Sequence, residues 1–84
     1  MKSILVADDS MFMRQMLKEL LPKDSFQVVG EASTGKEAIT KYNQLNPDLV
    51  TMDITMPDMD GISAVKKIIE INPKAKIVMV SAMG

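Results

Sequence analysis

Three aspartates in this 84-residue sequence directly follow apolar runs, in positions where an unpaired charge is costly. Asp8 and Asp9 come after residues 3–7, and Asp53 comes after residues 49–52. Carboxylates that share one small volume cannot all stay ionised unless positive charge compensates them. Mg²⁺ takes oxygen ligands and binds through one or two carboxylates together with water and phosphate oxygens. If these aspartates meet in the fold, the sequence predicts a magnesium site there.

A carboxylate beside Mg²⁺ can also act as a nucleophile toward phosphorus and form an aspartyl phosphate. Phosphoryl transfer depends on in-line positioning and charge neutralisation more than on an elaborate base. The sequence contains no histidine and no cysteine, so the commonest general base and the thiolate metal ligands are excluded. Phosphoryl chemistry at an aspartate suits a chain that has neither residue.

Local structure offers another interpretation of the acidic residues. Asp9 or Ser10 can cap the first helix, and Asp8 can be a solvated turn residue. Taken alone, the doublet fits this interpretation better, and it is the third aspartate that favours a carboxylate cluster. Asp58 and Asp60 lie in PDMDG, whose Pro-Asp and Asp-Gly pairs are typical of a turn.

The composition indicates a soluble globular domain, since 46% of the residues are hydrophobic and 25% are charged. The net charge of −1 gives no electrostatic reason to expect binding to nucleic acid or to an anionic membrane. No apolar run approaches the ~20 residues of a membrane-spanning helix. The residues after Lys2 show no signal-peptide cleavage pattern. We therefore expect a cytoplasmic protein with neither nucleic-acid nor membrane partners.

Apolar periodicity divides the chain into alternating strands and helices. Strands are predicted at 3–7, 26–29, 49–52 and 77–80, and amphipathic helices at 11–21, 35–45 and 62–71. A proline follows each helix, namely Pro22, Pro47 and Pro73. Almost continuously apolar strands are typical of parallel sheets buried on both faces. The sequence therefore predicts one β-α-β-α-β-α-β unit with right-handed crossovers and helices on both faces.

The same periodicity predicts the packed face of each helix. The first helix is expected to pack through Met13, Met16, Leu17, Leu20 and Leu21. The second is expected to pack through Ala38, Tyr42 and Leu45. The third is expected to pack through Ile62, Val65, Ile68 and Ile69.

Ligands of open parallel sheets bind beyond the carboxyl ends of the strands. Asp8 and Asp9 follow the first predicted strand, Asp53 follows the third, and Ser81 follows the fourth. If the first and third strands are neighbours, all three aspartates lie at one end of the sheet.

These motifs, in this order, resemble those of a known family. The acidic doublet Asp8-Asp9, Asp53 within MDITMPDMDG, and SAMG after the fourth strand resemble the receiver domain of bacterial response regulators, in particular the CheY-like chemotaxis type. The resemblance covers the whole chain and implies a partial receiver domain over residues 1–84. It also implies an α/β, flavodoxin-like fold with strand order 2-1-3-4.

The resemblance further implies a role for each site residue. A sensor histidine kinase would transfer a phosphoryl group to Asp53 in the presence of Mg²⁺, so the domain would be a phosphoacceptor and not an enzyme. Asp9 would bind the metal, Asp8 would hold its waters or bind it directly, and the backbone carbonyl of Thr55 would be a further ligand. The Ser81 hydroxyl would contact a phosphoryl oxygen and sense phosphorylation. The backbone N–H groups around Thr55 and Ala82 would hold the other phosphoryl oxygens.

The family pattern continues with a fourth helix, a fifth strand and a fifth helix, whereas this sequence stops at Gly84. The family's strand-five lysine and aromatic residue therefore have no counterpart here. Strand four is expected to be an apolar edge, which invites self-association or pairing with a complementary fragment. The alternative function is accordingly a non-catalytic half of a flavodoxin-like fold that assembles.

The segment GEASTGKE contains the G-x-x-x-x-G-K spacing of a phosphate-binding P-loop, with Gly30, Gly35 and Lys36. A P-loop continues with Ser or Thr, but Glu37 stands there and would repel phosphates. We favour Ser33 or Thr34 as a helix cap, Glu37 as a first-turn acid and Lys36 as solvated.

Overall fold

The structure is a computed structural model that describes residues 1–56 and 59–80. Strands and helices alternate along the chain as the periodicity predicts. The elements are β1 (Lys2–Ala7), α1 (Met11–Leu20), β2 (Phe26–Ala32), α2 (Gly35–Leu45), β3 (Leu49–Asp53), α3 (Gly61–Ile71) and β4 (Ile77–Val80).

The four strands form one parallel sheet in the order β2-β1-β3-β4. β1 lies between β2 and β3, which brings Ala7 opposite Ala32 on one side and Met52 on the other. β4 pairs with β3, with Val80 opposite Asp53. This order and orientation confirm the predicted flavodoxin-like α/β fold.

The core lies between the sheet and helices α2 and α3. Alternate residues of β1 and β3 point into it because successive side chains of a strand face opposite sides. The core side chains from the sheet are Leu5, Ala7, Ala32, Val50 and Met52, and those from the helices are Ala38, Tyr42, Ala64 and Ile68. Ile4 and Val6 are also buried and lie on the opposite face of β1, which α1 contacts.

Helix α1 packs less tightly than its apolar periodicity predicts. None of its residues is buried. Met13 and Leu17 are half-buried, as is Leu21 just after the helix, whereas Met16 is exposed and Leu20 is 71% exposed. Only part of the packed face predicted for α1 therefore lies against the sheet.

Helix α3 packs through only half of the apolar face predicted for it: Ile68 is buried and Val65 packs against the core, as predicted, whereas Ile62 and Ile69 do not. Its buried residues are Gly61, Ala64 and Ile68, while Ile62 is 54% exposed and Ile69 is also exposed. The Gly61 amide donates to the Ile54 carbonyl at 2.8 Å, and a Cβ on Gly61 would collide with the Asp53 carbonyl oxygen. This close approach sets the rotation of α3, so the prediction for Ile62 and Ile69 was wrong.

Each helix begins at a side-chain cap. Ser10 caps α1 by accepting from the Met13 amide at 3.2 Å. Thr34 caps α2 by accepting from the Glu37 amide at 3.0 Å. Asp60 caps α3 by accepting from the Ser63 amide at 2.8 Å. The capping and turn roles expected of Ser10, Thr34 and Asp60 are therefore confirmed. Helix α2 packs through Ala38 and Tyr42 as predicted, but Leu45 is exposed.

Strand β2 is longer than predicted and includes Gly30, Glu31 and Ala32. Only Ser33 and Thr34 then connect it to α2, so no loop long enough to wrap phosphates exists at the P-loop-like motif. Within residues 1–56 and 59–80, no helix is long and apolar enough to cross a membrane.

Candidate functional site

The acidic doublet and the third aspartate meet at the carboxyl rim of the sheet. Asp8 directly follows β1 and Asp53 ends β3, and these strands are hydrogen-bonded neighbours. One carboxylate oxygen from each of Asp8, Asp9 and Asp53 lies within 4.8 Å of the others. Asp8 and Asp53 are each 3% exposed, whereas Asp9 is exposed to solvent. The predicted convergence of the three side chains is therefore confirmed.

Backbone and side-chain hydrogen bonds hold Asp8 in place. Its amide donates to the Ala32 carbonyl of β2 at 2.9 Å, and its Oδ1 accepts from the Ser10 amide at 2.9 Å. Asp8 is thus a buried residue, and its interpretation as a solvated turn residue was wrong. Because Ser10 caps α1, the Asp9 carboxylate is not needed for that purpose and belongs to the cluster.

Asp53 lies in an unfavourable position for a negative charge. Burial raises the pKa of its carboxyl above the usual value, and the neighbouring Asp8 carboxylate raises it further. A hydrogen bond from the Thr55 amide, 3.4 Å from Oδ1, acts in the opposite direction, and Asp9 adds to the increase. A nearby cation would relieve this repulsion directly.

The donor set fits a hard divalent cation. All three side chains offer carboxylate oxygens, and in the part of the chain that the structure describes no other group of three acidic residues converges this closely. Mg²⁺ prefers such oxygen donors and keeps several water ligands. Because Asp9 is exposed to solvent, water can reach the ion from that side.

The remaining predicted site residues lie on the loop after β3 or outside the described part of the chain. Thr55 follows the cluster on the loop after β3, and the metal-binding role of its carbonyl stays a prediction. Ser81, Ala82 and Asp58 lie outside the described residues.

A family model supplies the decisive comparison, since the response regulator receiver domain matches residues 4–84. The chain belongs to the response regulator receiver domain family. Among curated relatives, this receiver domain is 55% identical over 83 residues to the chemotaxis protein CheY of Thermotoga maritima, covering 99% of the chain and 69% of that protein. It is 57% identical over 81 residues to CheY of Bacillus subtilis, covering 96% of the chain and 68% of that protein. It is a receiver domain of the CheY type.

Solved structures agree with this assignment. The receiver domain superposes on a chain of the CheX-CheY-BeF3-Mg+2 complex from Borrelia burgdorferi with a TM-score of 0.91 and 39% identity, covering 99% of this chain and 63% of that chain. The response regulator domain of Thermotoga maritima CheB gives a TM-score of 0.88 and 45% identity, covering 98% of this chain and 61% of that chain. The chain therefore spans less than two thirds of either solved chain.

The receiver domain also contains site neighbours that sequence reasoning missed. Arg14 of α1 contacts both the Asp8 carbonyl and Glu31 of β2. A charged residue inside a strand indicates that its side chain has a partner. Glu31 lies inside β2, but the predicted strand ended at residue 29, so this indication was not available. Nothing in the spacing of Arg14 indicates its contacts, since they depend on how α1 lies across the sheet.

Proposed function

We propose that residues 1–84 act as a partial receiver domain of chemotaxis-type two-component signalling, in which Asp53 accepts a phosphoryl group. The observation that supports this most is the position of Asp53, which is buried at the end of β3 with Asp8 and Asp9 around it. The donor would be the phosphohistidine of a sensor histidine kinase. The domain would be the acceptor in this reaction and not an enzyme.

The transfer is a substitution at phosphorus. A carboxylate oxygen of Asp53 forms a bond to phosphorus while the P–N bond of the phosphohistidine breaks. The electron pair of that bond returns to the imidazole nitrogen, which then takes up a proton from water. Asp53 becomes an acyl phosphate, and no oxidation or reduction occurs.

The residues around Asp53 would bind the metal ion and contact the phosphoryl group. Asp9, which faces solvent, and Asp8, which is buried beside Asp53, would hold Mg²⁺ together with Asp53 and the Thr55 carbonyl. When bound, the ion neutralises charge on the phosphoryl oxygens and on the crowded carboxylates. The Ser81 hydroxyl would contact a phosphoryl oxygen. The related CheY from Borrelia burgdorferi, whose complex contains BeF3 and Mg+2, supports this arrangement.

Intact-mass spectrometry after incubation with a small phosphodonor and Mg²⁺ tests the proposal. We expect one base-labile phosphoryl adduct on the parent chain and none on Asp53→Asn. Asp24→Asn, a change at an exposed aspartate in the turn before β2, is the control and should keep the adduct. The absence of an adduct on the parent, or its persistence in Asp53→Asn, would contradict the proposal.

A second candidate function, assembly through β4, has one observation in its favour. Among the described residues β4 pairs only with β3, and Val78 is 49% exposed. An apolar edge strand offers unpaired backbone groups to another chain. The 84-residue chain would then associate with itself or with a complementary fragment through this edge.

A further inference from the structure

A charged network beside the aspartate cluster links helix α1 to strand β2. Arg14 donates through Nε to Glu31 Oε1 at 2.9 Å and through Nη1 to the backbone carbonyl of Asp8 at 2.8 Å. Lys18, one turn further along α1, donates to Glu31 Oε2 at 3.0 Å. The Arg14 side chain is only 16% exposed, so its two hydrogen bonds are largely shielded from water.

This network ties both backbone polar groups of Asp8 to the same strand. The Asp8 amide donates to the carbonyl of Ala32, which neighbours Glu31 in β2. The Asp8 carbonyl reaches Glu31 indirectly, through the Arg14 guanidinium. Asp8, Arg14 and the end of β2 therefore form a closed hydrogen-bonded loop.

The Asp8 carbonyl belongs to the peptide group that joins Asp8 to Asp9. A peptide group is planar, so an interaction that fixes its carbonyl also fixes the positions of the Asp9 N–H and Cα, from which the Asp9 side chain projects. Mg²⁺ demands near-ideal octahedral geometry, which makes its affinity sensitive to the relative placement of two neighbouring ligands. The charge-assisted bonds of a guanidinium are well suited to hold such a geometry.

We propose that Arg14, anchored by Glu31, is a positioning residue that orients the Asp8-Asp9 peptide for magnesium binding. Arg14 acts through the backbone of the doublet and does not touch the metal. The inference rests on the proposed function, since it concerns the same metal site. Outer residues that orient metal ligands typically change metal affinity about 10–100-fold when they are removed.

Lys18 provides a matched control within the same network. Both Arg14 and Lys18 bind the Glu31 carboxylate, but of the two only Arg14 donates to Asp8. Arg14→Met and Lys18→Met therefore each remove one cation from Glu31 and keep an unbranched side chain on α1. Only the first releases the Asp8 carbonyl.

The experiment combines calorimetric Mg²⁺ titration with amide hydrogen exchange in the absence of metal. We expect Arg14→Met to weaken Mg²⁺ binding about 10-fold and to speed exchange at the Asp9 and Ser10 amides. Lys18→Met should stay within about twofold of the parent affinity, since no metal ligand is displaced, and should leave those amides unchanged. Arg14→Lys should resemble Arg14→Met, because one ammonium cannot reproduce the guanidinium fork.

Unchanged Mg²⁺ affinity in Arg14→Met, or an equal loss in Lys18→Met, would overturn the inference and leave the network with a purely structural role. Should Arg14→Met fail to fold, Glu31→Ala removes the anchor and should weaken Mg²⁺ binding in the same direction; parental affinity in that variant would also overturn it. A parent chain that binds no Mg²⁺ contradicts the proposed function instead, and the exchange comparison still decides whether Arg14 orders the doublet.

Discussion

Asp8 and Asp53 lie at the ends of neighbouring parallel strands, with carboxylate oxygens within 4.8 Å of each other although both side chains are almost fully buried. Two desolvated like charges at this separation destabilise the folded chain. The same arrangement concentrates negative potential where a divalent cation and an incoming phosphoryl group would meet. The fold thus carries an electrostatic cost at the position where the proposed chemistry needs it.

Replacing Asp53 by Asn should stabilise the metal-free protein at neutral pH. Burial and Asp8 raise the folded-state pKa of Asp53 above its usual 3.8. The protonated carboxyl therefore favours folding below pH 3.8, and this contribution is lost as the pH rises through the folded-state pKa. Thermal unfolding in the presence of a chelator should show Asp53→Asn melting several degrees higher at pH 7.

The difference in melting temperature between Asp53→Asn and the parent should shrink as the pH falls, because in acid neither the asparagine nor the protonated Asp53 is charged. A difference that grows between pH 7 and pH 4, or a lower melting temperature for Asp53→Asn at pH 7, would show that the buried charge is not destabilising.

Magnesium should stabilise the parent chain through binding to the folded state alone. At a concentration of 100 times the dissociation constant, the gain in unfolding free energy is about 2.7 kcal/mol. Asp9→Ala removes one ligand and should abolish most of this gain, whereas Asp24→Ala, at an exposed turn, should retain it. Thermal midpoints with and without Mg²⁺ measure the effect, and equal midpoints for the parent would argue against a metal site.

Gly61→Ala should destabilise the fold although alanine favours helices. The new Cβ would collide with the Asp53 carbonyl oxygen, and overpacking of this kind costs about 1–3 kcal/mol. Gly30→Ala is the matched control, because its Cβ would meet the end of the flexible Leu45 side chain, 2.6 Å from Cδ1. Urea unfolding should show the larger loss for Gly61→Ala, and the reverse order would mean that the α3–β3 contact is loose.

The second candidate function predicts that the 84-residue chain self-associates through the edge of β4. Val78 is exposed there, so Val78→Lys places a charge on the edge without filling the core. Sedimentation velocity should show concentration-dependent association of the parent and a shift toward monomer for Val78→Lys. A monomeric parent at high concentration would contradict association through this edge.

Much of the fold follows from apolar periodicity and helix-ending residues. The spacing predicts α2 at 35–45 and β4 at 77–80, as the structure has them, and the almost continuously apolar strands predict a parallel sheet, whereas the strand order is what the family resemblance implies. The packed face of α3 was predictable only in part: Val65 and Ile68 pack as the spacing predicts, but the spacing favours Ile62 over the buried Ala64. The backbone contact at Gly61 decides that face, and only the three-dimensional approach of α3 to β3 reveals it.

The candidate site was predictable where it depends on strand ends and unpredictable where it depends on helix placement. Asp8, Asp9 and Asp53 all follow apolar strands, so a parallel sheet in which β1 and β3 are neighbours brings them together. The contacts of Arg14 and Glu31 join residues of different elements through their side chains. No local pattern in the sequence specifies such a pair.

Chemical mapping of the phosphorylated residue tests the central claim most directly. Borohydride reduces an acyl phosphate to an alcohol, so reduction of the phosphorylated chain converts the acceptor aspartate to homoserine. Tandem mass spectrometry of the digested chain then locates that residue. We predict homoserine at position 53, dependent on both phosphodonor and Mg²⁺; homoserine at position 8 or 9, or none at all, would contradict the account.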